Sequence, residues 1–186
     1  MNIITTRLDG VIIIEPEVFR DDRGFFTESY SKRKFTEAGY DYDFVQDNHS
    51  LSINEGTIRG LHYQKNPKAQ TKLVRVTQGA ALDVAIDIRH GSPTYLQWVS
   101  IELSAENMRQ FIIPRGFAHG ICTLLPNTEI LYKVDQFFAP ECDCAIRWND
   151  PEIGIEWPYR EPLLSDKDRN APLLKNAENN FVYGEV

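Results

Sequence analysis

The chain has 186 residues and a formal net charge of −7, with 20 basic and 27 acidic side chains. Its length suits one domain spanning residues 1–186, and the acidic balance argues against a surface that coats nucleic acid. No stretch of about 18 apolar residues could cross a bilayer, and the N-terminus lacks the charged start and apolar middle of a signal peptide. We therefore predict a cytoplasmic protein that binds neither nucleic acid nor a membrane.

The first part of the chain predicts strands, a hairpin and one helix. The apolar, β-branched stretch 3–16 is typical of one or two strands ending at a proline, and it could pair with another subunit. Residues 19–28 place an Asp-Asp-Arg-Gly turn before an alternating strand, which predicts either a solvated hairpin tip or an arm that contacts a ligand. A helix is predicted from Ser31, its N-cap, to Ala38, with Gly39 placed to end it.

Two stretches near the middle carry the clearest chemistry. Residues 44–49 supply amides and a histidine, suited to hydrogen bonding or merely to ending a strand. In the segment 56–64, His62 is a natural general base because histidine exchanges protons near neutrality, and Arg59 could hold an anionic substrate. In a regular strand these two side chains would point to opposite faces, unless a bulge at Gly60 re-aims one of them. A hydrogen-bonded core histidine is the alternative for His62.

The rest of the chain continues a β pattern broken by glycine and proline turns. Strands are predicted over 72–79, 82–88, 97–103, 111–114, 121–125 and 130–138. Many short strands with few short helices predict an all-β sandwich or barrel, and a double-sheet jelly roll suits this count.

Three further residues have both a structural and a functional interpretation. His119 stands between glycines in a predicted loop, as a ligand contact or a turn residue. Tyr132 is by default a core residue whose hydroxyl reaches a pocket edge. Ser165 and Asp168 form a capping box, which would give Asp168 a purely structural role.

The cysteines 122, 142 and 144 are odd in number and include no second pair at metal-ligand spacing, so we expect reduced structural thiols and no metal site.

Seven motifs taken in order resemble the dTDP-4-dehydrorhamnose 3,5-epimerase family over nearly the whole chain. They are Arg20-Asp-x-Arg-Gly-x-Phe-x-Glu28, Gln46-Asp-Asn-His49, Arg59-Gly-Leu-His-Tyr-Gln64, Lys72, Pro114-x-Gly-Phe-x-His-Gly120, Tyr132-Lys133 and Leu164-Ser-x-Lys-Asp168. The resemblance implies a cupin-type jelly-roll barrel with a few short helices, assembled as a homodimer. It also implies an isomerase without metal or organic cofactor, which inverts C3 and C5 of a dTDP-linked 4-keto-6-deoxyhexose in dTDP-rhamnose biosynthesis.

By the same resemblance, the catalytic residues are His62, Lys72, Tyr132 and Asp168. A hydrogen next to a ketone is acidic because its conjugate base delocalises onto oxygen, so epimerisation needs a base, an enolate stabiliser and an acid. His62, Lys72 and Tyr132 can fill these roles, and Asp168 would orient His62. The implied substrate-binding residues are Arg23, Phe26, Glu28, Gln46, Asn48, Arg59, His119, Asp143 and Lys167, of which the first three can come from the partner subunit.

Three rival functions are set against this interpretation. A metal-dependent cupin dioxygenase would need a His-x-His pair, which the sequence lacks. A non-catalytic sugar-binding cupin would not need an acid–base set. A relative that epimerises only C3 or only C5 fits every motif. The sequence also departs from the family at Cys144 and Ala145, where an arginine and a glycine are frequent, so the loop after Asp143 is not predicted in detail.

Overall fold

The computed structural model describes residues 1–185, and its regular secondary structure is almost entirely β-strand. The strands are, in chain order, β1 (Asn2–Thr5), β2 (Ile12–Glu15), β3 (Val18–Asp21), β4 (Gly24–Thr27), β5 (Gln46–Ser52), β6 (Ile58–Gln64), β7 (Lys72–Gln78), β8 (Ala80–Asp87), β9 (Trp98–Ser104), β10 (Gln110–Ile113), β11 (Phe117–Thr123), β12 (Thr128–Val134) and β13 (Asp143–Ala145). The α-helices are α1 (Lys32–Glu37) and α2 (Asp166–Arg169). None of the helices in this described part of the chain is long and apolar enough to cross a membrane.

The strands form two main sheets and one separate hairpin. The six-stranded sheet has the order β1-β2-β10-β7-β12-β5, and the five-stranded sheet has the order β13-β6-β11-β8-β9. Strands β3 and β4 pair only with each other. Neighbouring strands run antiparallel in both sheets. The all-β, double-sheet prediction is therefore confirmed.

Three apolar clusters hold the sheets in place. Between the sheets, Val74 and Phe111 of one sheet pack with Ala85 and Leu103 of the other. Behind the five-stranded sheet, a second cluster is closed by the C-terminal segment through Phe181, which is 1% exposed. A third cluster forms behind the six-stranded sheet around Phe35 of α1. Both sheets are thus covered on their outer faces at least in part, and their inner faces share one interior.

Local sequence signals explain much of this architecture. The stretch 3–16 forms two paired strands, β1 and β2, in which Ile12 and Ile14 are buried. The predicted helix is confirmed: the Ser31 side chain accepts a bond from the backbone N–H of Lys34, and α1 ends before Gly39, whose φ is 89°.

Two predicted strand limits are wrong. Strand β12 ends at Val134 and does not continue to Phe138. Strand β11 begins at Phe117, so His119 lies within a strand and not in a loop. It is paired with His62 on one side and with Ala85 on the other. The glycines around His119 had suggested a turn, but a strand that is buried throughout tolerates small residues where neighbouring groups approach closely.

Strand β6 contains the bulge that Gly60 was predicted to permit. His62 pairs with His119, whereas Gly60 pairs with the next residue, Gly120, so Leu61 is an extra residue in β6. A Cβ at Gly60 would lie 2.7 Å from the Cα of Gly120, and its φ of 127° favours glycine. The bulge changes the alternation of side chains along β6. As a result, Arg59 and His62 both face the interior.

Candidate active site

Polar and charged side chains occupy one part of the interior between the sheets. Across the six-stranded sheet, Tyr132 is directly opposite Asn48 and shares the inner face of Val74. In the five-stranded sheet, the pairing of His62 with His119 defines the inner face. The inner-face positions of the two sheets hold Gln46, Asn48, Arg59, His62, Lys72, Asp83, His119, Tyr132 and Asp143.

His62 of this cluster forms a short polar contact with Asp168. Nε2 of His62 lies 2.5 Å from Oδ1 of Asp168, and the Asp168 side chain is only 4% exposed. Asp168 reaches His62 from α2, outside the two sheets. The same residue completes the N-terminal cap of α2, since its backbone N–H donates to the Ser165 hydroxyl at 3.1 Å. Asp168 therefore caps α2 and contacts His62 at the same time.

The carboxyl of Asp168 is held in its ionised form. Burial alone would raise its pKa, but the bond with His62, and those from the Ser165 hydroxyl and the Gly60 backbone N–H, leave the pKa below its usual value. An ionised carboxylate can only accept hydrogen bonds, so Nε2 of His62 carries the proton of this contact. Nδ1 of the neutral ring then keeps its lone pair and can act as a base.

Lys72 is a buried ammonium with few partners. It is 9% exposed, and its Nζ donates to the backbone carbonyl of His62 at 3.5 Å. Burial lowers the pKa of Lys72 from 10.5 to about 8, while Asp83 and Asp143 raise it and Lys167 lowers it. An ammonium group has three donors, so Lys72 can direct further N–H groups towards a bound oxygen atom.

His119 is bound to a residue that the sequence did not single out. Its Nε2 lies 2.8 Å from Oδ1 of Asp83, which is 1% exposed. Burial lowers the pKa of the His119 imidazole, and Asp83 offsets this only in part. The available signal is an acidic residue between Leu82 and Val84, but an ordinary polar position in an alternating strand explains it equally well.

Tyr132 and Arg59 lie on opposite sheets, and the charge of Arg59 acts on the Tyr132 phenol. Burial raises the pKa of the Tyr132 phenol, while the positive charge of Arg59 lowers it to a smaller extent. The phenol is therefore protonated at neutral pH. Arg59 is held by Ser52 and by the backbone carbonyl of Leu51, each at 3.1 Å, and it remains exposed at the edge of the cluster. This orients its guanidinium for an anion at the mouth of the interior.

The remaining predicted contacts at this end form two pairs. Gln46 donates to the side-chain oxygen of Asn48 at 2.9 Å and accepts from the backbone N–H of Phe138 at 3.2 Å. Lys167 of α2 forms an ion pair with Asp143 of β13. The sequence does not single out Phe138 as a site residue, because it stands at the end of the predicted strand 130–138. Its ring is 56% exposed beside Gln46, and an exposed aromatic ring at a site edge is a signal that only the structure supplies.

The hairpin β3–β4 does not join this cluster within one chain. Arg23 at its tip is paired with Asp21, Phe26 is 69% exposed, and Glu28 is paired with Lys34. No hydrogen bond or ion pair among residues 1–185 connects these three residues with His62 or its neighbours. The structure thus brings ten of the thirteen predicted site residues to one end of the interior and leaves Arg23, Phe26 and Glu28 on a projecting arm.

Comparison with known proteins gives the family. A sequence model of dTDP-4-dehydrorhamnose 3,5-epimerases matches residues 5–176. A relative of that name from Pseudomonas aeruginosa is 56% identical over 173 residues, which cover 92% of this chain and 94% of the relative. This chain belongs to the dTDP-4-dehydrorhamnose 3,5-epimerase family. It is therefore an isomerase, as the motifs implied.

Two solved structures agree with this epimerase in fold. A dTDP-4-dehydrorhamnose 3,5-epimerase from Bacillus anthracis, with TDP and PPi bound, has a TM-score of 0.91 at 54% identity and covers 93% of this chain and 99% of its own. A dTDP-6-deoxy-D-glucose-3,5-epimerase from Legionella pneumophila, in complex with dTDP-4-keto-L-rhamnose, has a TM-score of 0.90 at 47% identity. It covers 94% of this chain and 93% of its own. The cupin-type jelly-roll prediction is confirmed.

Proposed function

We propose that this epimerase inverts C3 and C5 of a dTDP-linked 4-keto-6-deoxyhexose, converting dTDP-4-dehydro-6-deoxyglucose to dTDP-4-dehydrorhamnose. The observation that carries the proposal is the 2.5 Å contact between His62 and Asp168, formed beside the buried ammonium of Lys72. An oriented base and a buried cation in one site are what enolisation of a ketosugar requires. The nucleotide ligands of the Bacillus and Legionella relatives support the same class of substrate.

His62 is the base in this mechanism. Asp168 accepts a hydrogen bond from the Nε2–H of His62 and so presents the Nδ1 lone pair to the sugar. When Nδ1 takes a proton from C3 or C5, the ring becomes an imidazolium, and the adjacent carboxylate stabilises the new positive charge. The 29% exposure of the His62 side chain leaves its ring accessible to a substrate that enters the interior.

Lys72 stabilises the enolate. The negative charge released from carbon develops on the C4 oxygen, and a buried ammonium interacts with it strongly because little water screens the pair. The pKa of about 8 keeps most of the Lys72 side chains charged at neutral pH. His119, neutral and held by Asp83, offers a second polar group to the sugar from the opposite sheet.

Tyr132 is the acid that returns a proton to the other face of the sugar ring. It lies on β12, whereas His62 lies on β6 of the facing sheet, so a sugar between them meets one group on each side. Its raised pKa keeps the phenol protonated until the enolate forms. Two groups on opposite faces account for inversion without movement of either side chain.

The nucleotide is held by the groups around this centre. Arg59 and Lys167 supply positive charge for the diphosphate, which an acidic protein must provide locally. Gln46 and Asn48 offer amides for the base, and the exposed ring of Phe138 offers an aromatic face on which the base can stack. Asp143 positions Lys167 through their ion pair.

We propose further that the enzyme is a homodimer and that the hairpin β3–β4 completes the site of the partner. Phe19, Phe25 and Phe26 of this hairpin are all more than half exposed, which is unusual for large apolar side chains unless another surface covers them. Arg23 would then add a further positive charge to the nucleotide site. The single domain over residues 1–186 and the cytoplasmic location stay predictions.

The test of this function is isotope exchange at both carbons. The enzyme is incubated with dTDP-4-keto-6-deoxyglucose in deuterated water, and incorporation and configuration at C3 and C5 are followed separately by NMR. Exchange with inversion at both carbons is expected. Exchange and inversion at only one carbon would identify a single-carbon epimerase, and binding without exchange would identify a non-catalytic sugar-binding cupin.

A further inference from the structure

Asp83 is a deeply buried carboxylate at the centre of the site. It lies on the inner face of β8 opposite Ile121 and Ile101, and it is 1% exposed. Its Oδ1 accepts a hydrogen bond from His119 at 2.8 Å. Its Oδ2 is also buried and has no hydrogen-bond partner among residues 1–185. Burying a carboxylate with one oxygen unpaired is costly, so its retention in an apolar strand requires a compensating positive charge or a role in the reaction.

The candidate for that positive charge is Lys72, which faces the same interior from β7. No carboxylate of the described residues lies within ion-pair distance of Lys72, and its one hydrogen bond, to the His62 carbonyl, is long at 3.5 Å. The charged groups that act on Lys72 are Asp83 on β8, Asp143 on β13 and Lys167 on α2, and Asp83 has the largest effect of the three. His62 and His119 face the same space from β6 and β11.

We infer that Asp83 is a positioning residue of the epimerase site: its negative charge keeps the buried Lys72 side chain positively charged, and its Oδ1 fixes the orientation of the His119 ring. The inference rests on the proposed role of Lys72 as the enolate stabiliser. A buried lysine loses its proton more readily than an exposed one, and a nearby negative charge opposes that loss. Removing the charge of Asp83 therefore lowers the fraction of Lys72 side chains that carry the positive charge on which the reaction depends.

The bond to Asp83 also decides which nitrogen of His119 can accept a hydrogen bond. When the Nε2–H of His119 donates its hydrogen bond to Oδ1 of Asp83, the neutral ring exposes Nδ1 as an acceptor. A sugar hydroxyl can donate to this nitrogen. Asp83 thereby gives His119 and Lys72 complementary roles, one as an acceptor and the other as a donor.

The test is the pH dependence of kcat in Asp83→Asn. In the wild-type enzyme, kcat is expected to fall as the pH rises through about 8, where Lys72 loses its proton. In Asp83→Asn this basic limb should move to lower pH by about one unit, and kcat should recover on acidification. Asp83→Ser, also uncharged but smaller, should show the same shift and gives a second measurement if the asparagine variant folds poorly.

Asp150→Asn is the matched control. Asp150 is buried to a similar extent, at 3% exposed, but it accepts backbone bonds from Glu152 and Leu174 in the loops outside the sheets. Its basic limb should coincide with that of the wild type. His119→Gln keeps a donor for Asp83 but cannot titrate, so its limb should also stay in place. If the basic limb of kcat moved in His119→Gln as far as in Asp83→Asn, the assignment of that limb to proton loss from Lys72 would be overturned.

Lys72→Met separates this inference from the proposed function. If Lys72→Met leaves kcat unchanged, Lys72 does not stabilise the enolate, and the inference fails with the proposed role. If Lys72→Met lowers kcat while both uncharged Asp83 variants keep the wild-type basic limb, the role of Lys72 stands and the inference about Asp83 is overturned.

Discussion

His62 and Asp168 lie 106 positions apart in the chain and meet at 2.5 Å between Nε2 and Oδ1. Asp168 contributes to two structures at once, because its other oxygen accepts from the Ser165 hydroxyl at the start of α2. A four-residue helix is too short to be stable alone, so its cap and its contact with His62 support each other. The proposed base, His62, is therefore oriented by a group whose own position is fixed by a helix cap.

Replacing His62 by alanine should abolish proton abstraction. Loss of a general base lowers the rate by roughly 10²- to 10⁴-fold, and deuterium exchange into the ketosugar should fall with it. Exchange at C3 and C5 is measured by NMR. His49→Ala is the control, because His49 is exposed on β5 and pairs with Glu129 away from the interior. Near-normal exchange in His62→Ala would show that another group is the base.

Asp168→Asn should change how the stability of the fold depends on pH. The folded-state pKa of Asp168 lies below its ordinary value of 3.8, so the stability it adds is present above that pH and is lost as the pH falls through the folded pKa. The variant should be less stable than the wild type at neutral pH, and this difference should shrink below about pH 4. Urea unfolding at pH 7 and at pH 3 measures it. An equal difference at both pH values would show that Asp168 is protonated in the folded enzyme.

Much of the fold follows from local sequence, and the wrong predictions share one physical cause. The strand before Gly79, the period-two alternation over 82–88 and the Ser31 cap of α1 depend on neighbours in the chain, so the sequence predicts β7, β8 and α1. The strand character of His119 depends on its pairing with His62 and Ala85, which are remote in sequence. A glycine-flanked histidine reads as a turn until these partners are known.

The candidate site shows the same limit. The sequence predicts that Arg59 and His62 can share a face only if a bulge forms at Gly60. The register between β6 and β11 establishes that this bulge is present. Asp83 could not be distinguished from Asp87, because both follow apolar residues in one strand and both are buried. In the structure, Asp87 binds Arg89, Ser92 and Thr94, whereas Asp83 binds His119. The hydrogen-bond partners of the two aspartates, and not the sequence pattern around them, distinguish Asp87 in its loop contacts from Asp83 in the proposed site.

Arg59→Ala should weaken binding of the nucleotide more than it slows turnover. Arg59 lies at the edge of the cluster and is exposed, so it meets the ligand in the ground state and the transition state alike. Loss of a charge-assisted hydrogen bond should weaken dTDP binding by roughly 10- to 100-fold. Calorimetry with dTDP measures this. Arg109→Ala, which removes a guanidinium bound to Glu15, is the control. Unchanged dTDP affinity with lowered kcat would move Arg59 into the catalytic group.

A mixture of two inactive variants should regain activity if the hairpin acts in the partner's site. Arg23 is 90% exposed in its side chain, so Arg23→Ala should leave the fold intact while it impairs the site. In a dimer of one Arg23→Ala and one His62→Ala subunit, one site would combine an intact His62 with an intact Arg23. Random subunit exchange should restore about a quarter of wild-type activity. Sedimentation confirms the dimer.

The activity of the mixed dimer shows whether Arg23 acts in the site of its own subunit or in that of the partner. If Arg23 serves the site of its own subunit, every site in the mixed dimer carries one defect and activity stays at the level of the separate variants. A monomer in sedimentation with full activity would contradict the dimer itself. Deletion of residues 1–15 is a poorer test, because β2 pairs with β10 and buries Ile12 and Ile14 in the sheet.

Tyr132→Phe should separate proton abstraction from inversion. The substitution removes the hydroxyl but keeps the ring that packs against the core between the sheets, so the fold should be retained. His62 and Lys72 remain in place, so deuterium should still enter the ketosugar on the His62 side, while inverted product at one or both carbons should fall by roughly 10²- to 10⁴-fold. Exchange and configuration are followed at C3 and C5 separately. Tyr63→Phe is the control, because the Tyr63 hydroxyl donates to the Glu178 carbonyl behind the five-stranded sheet. If Tyr132→Phe inverts both carbons at the wild-type rate, the proton comes from water or another side chain, and Tyr132 is a packing residue.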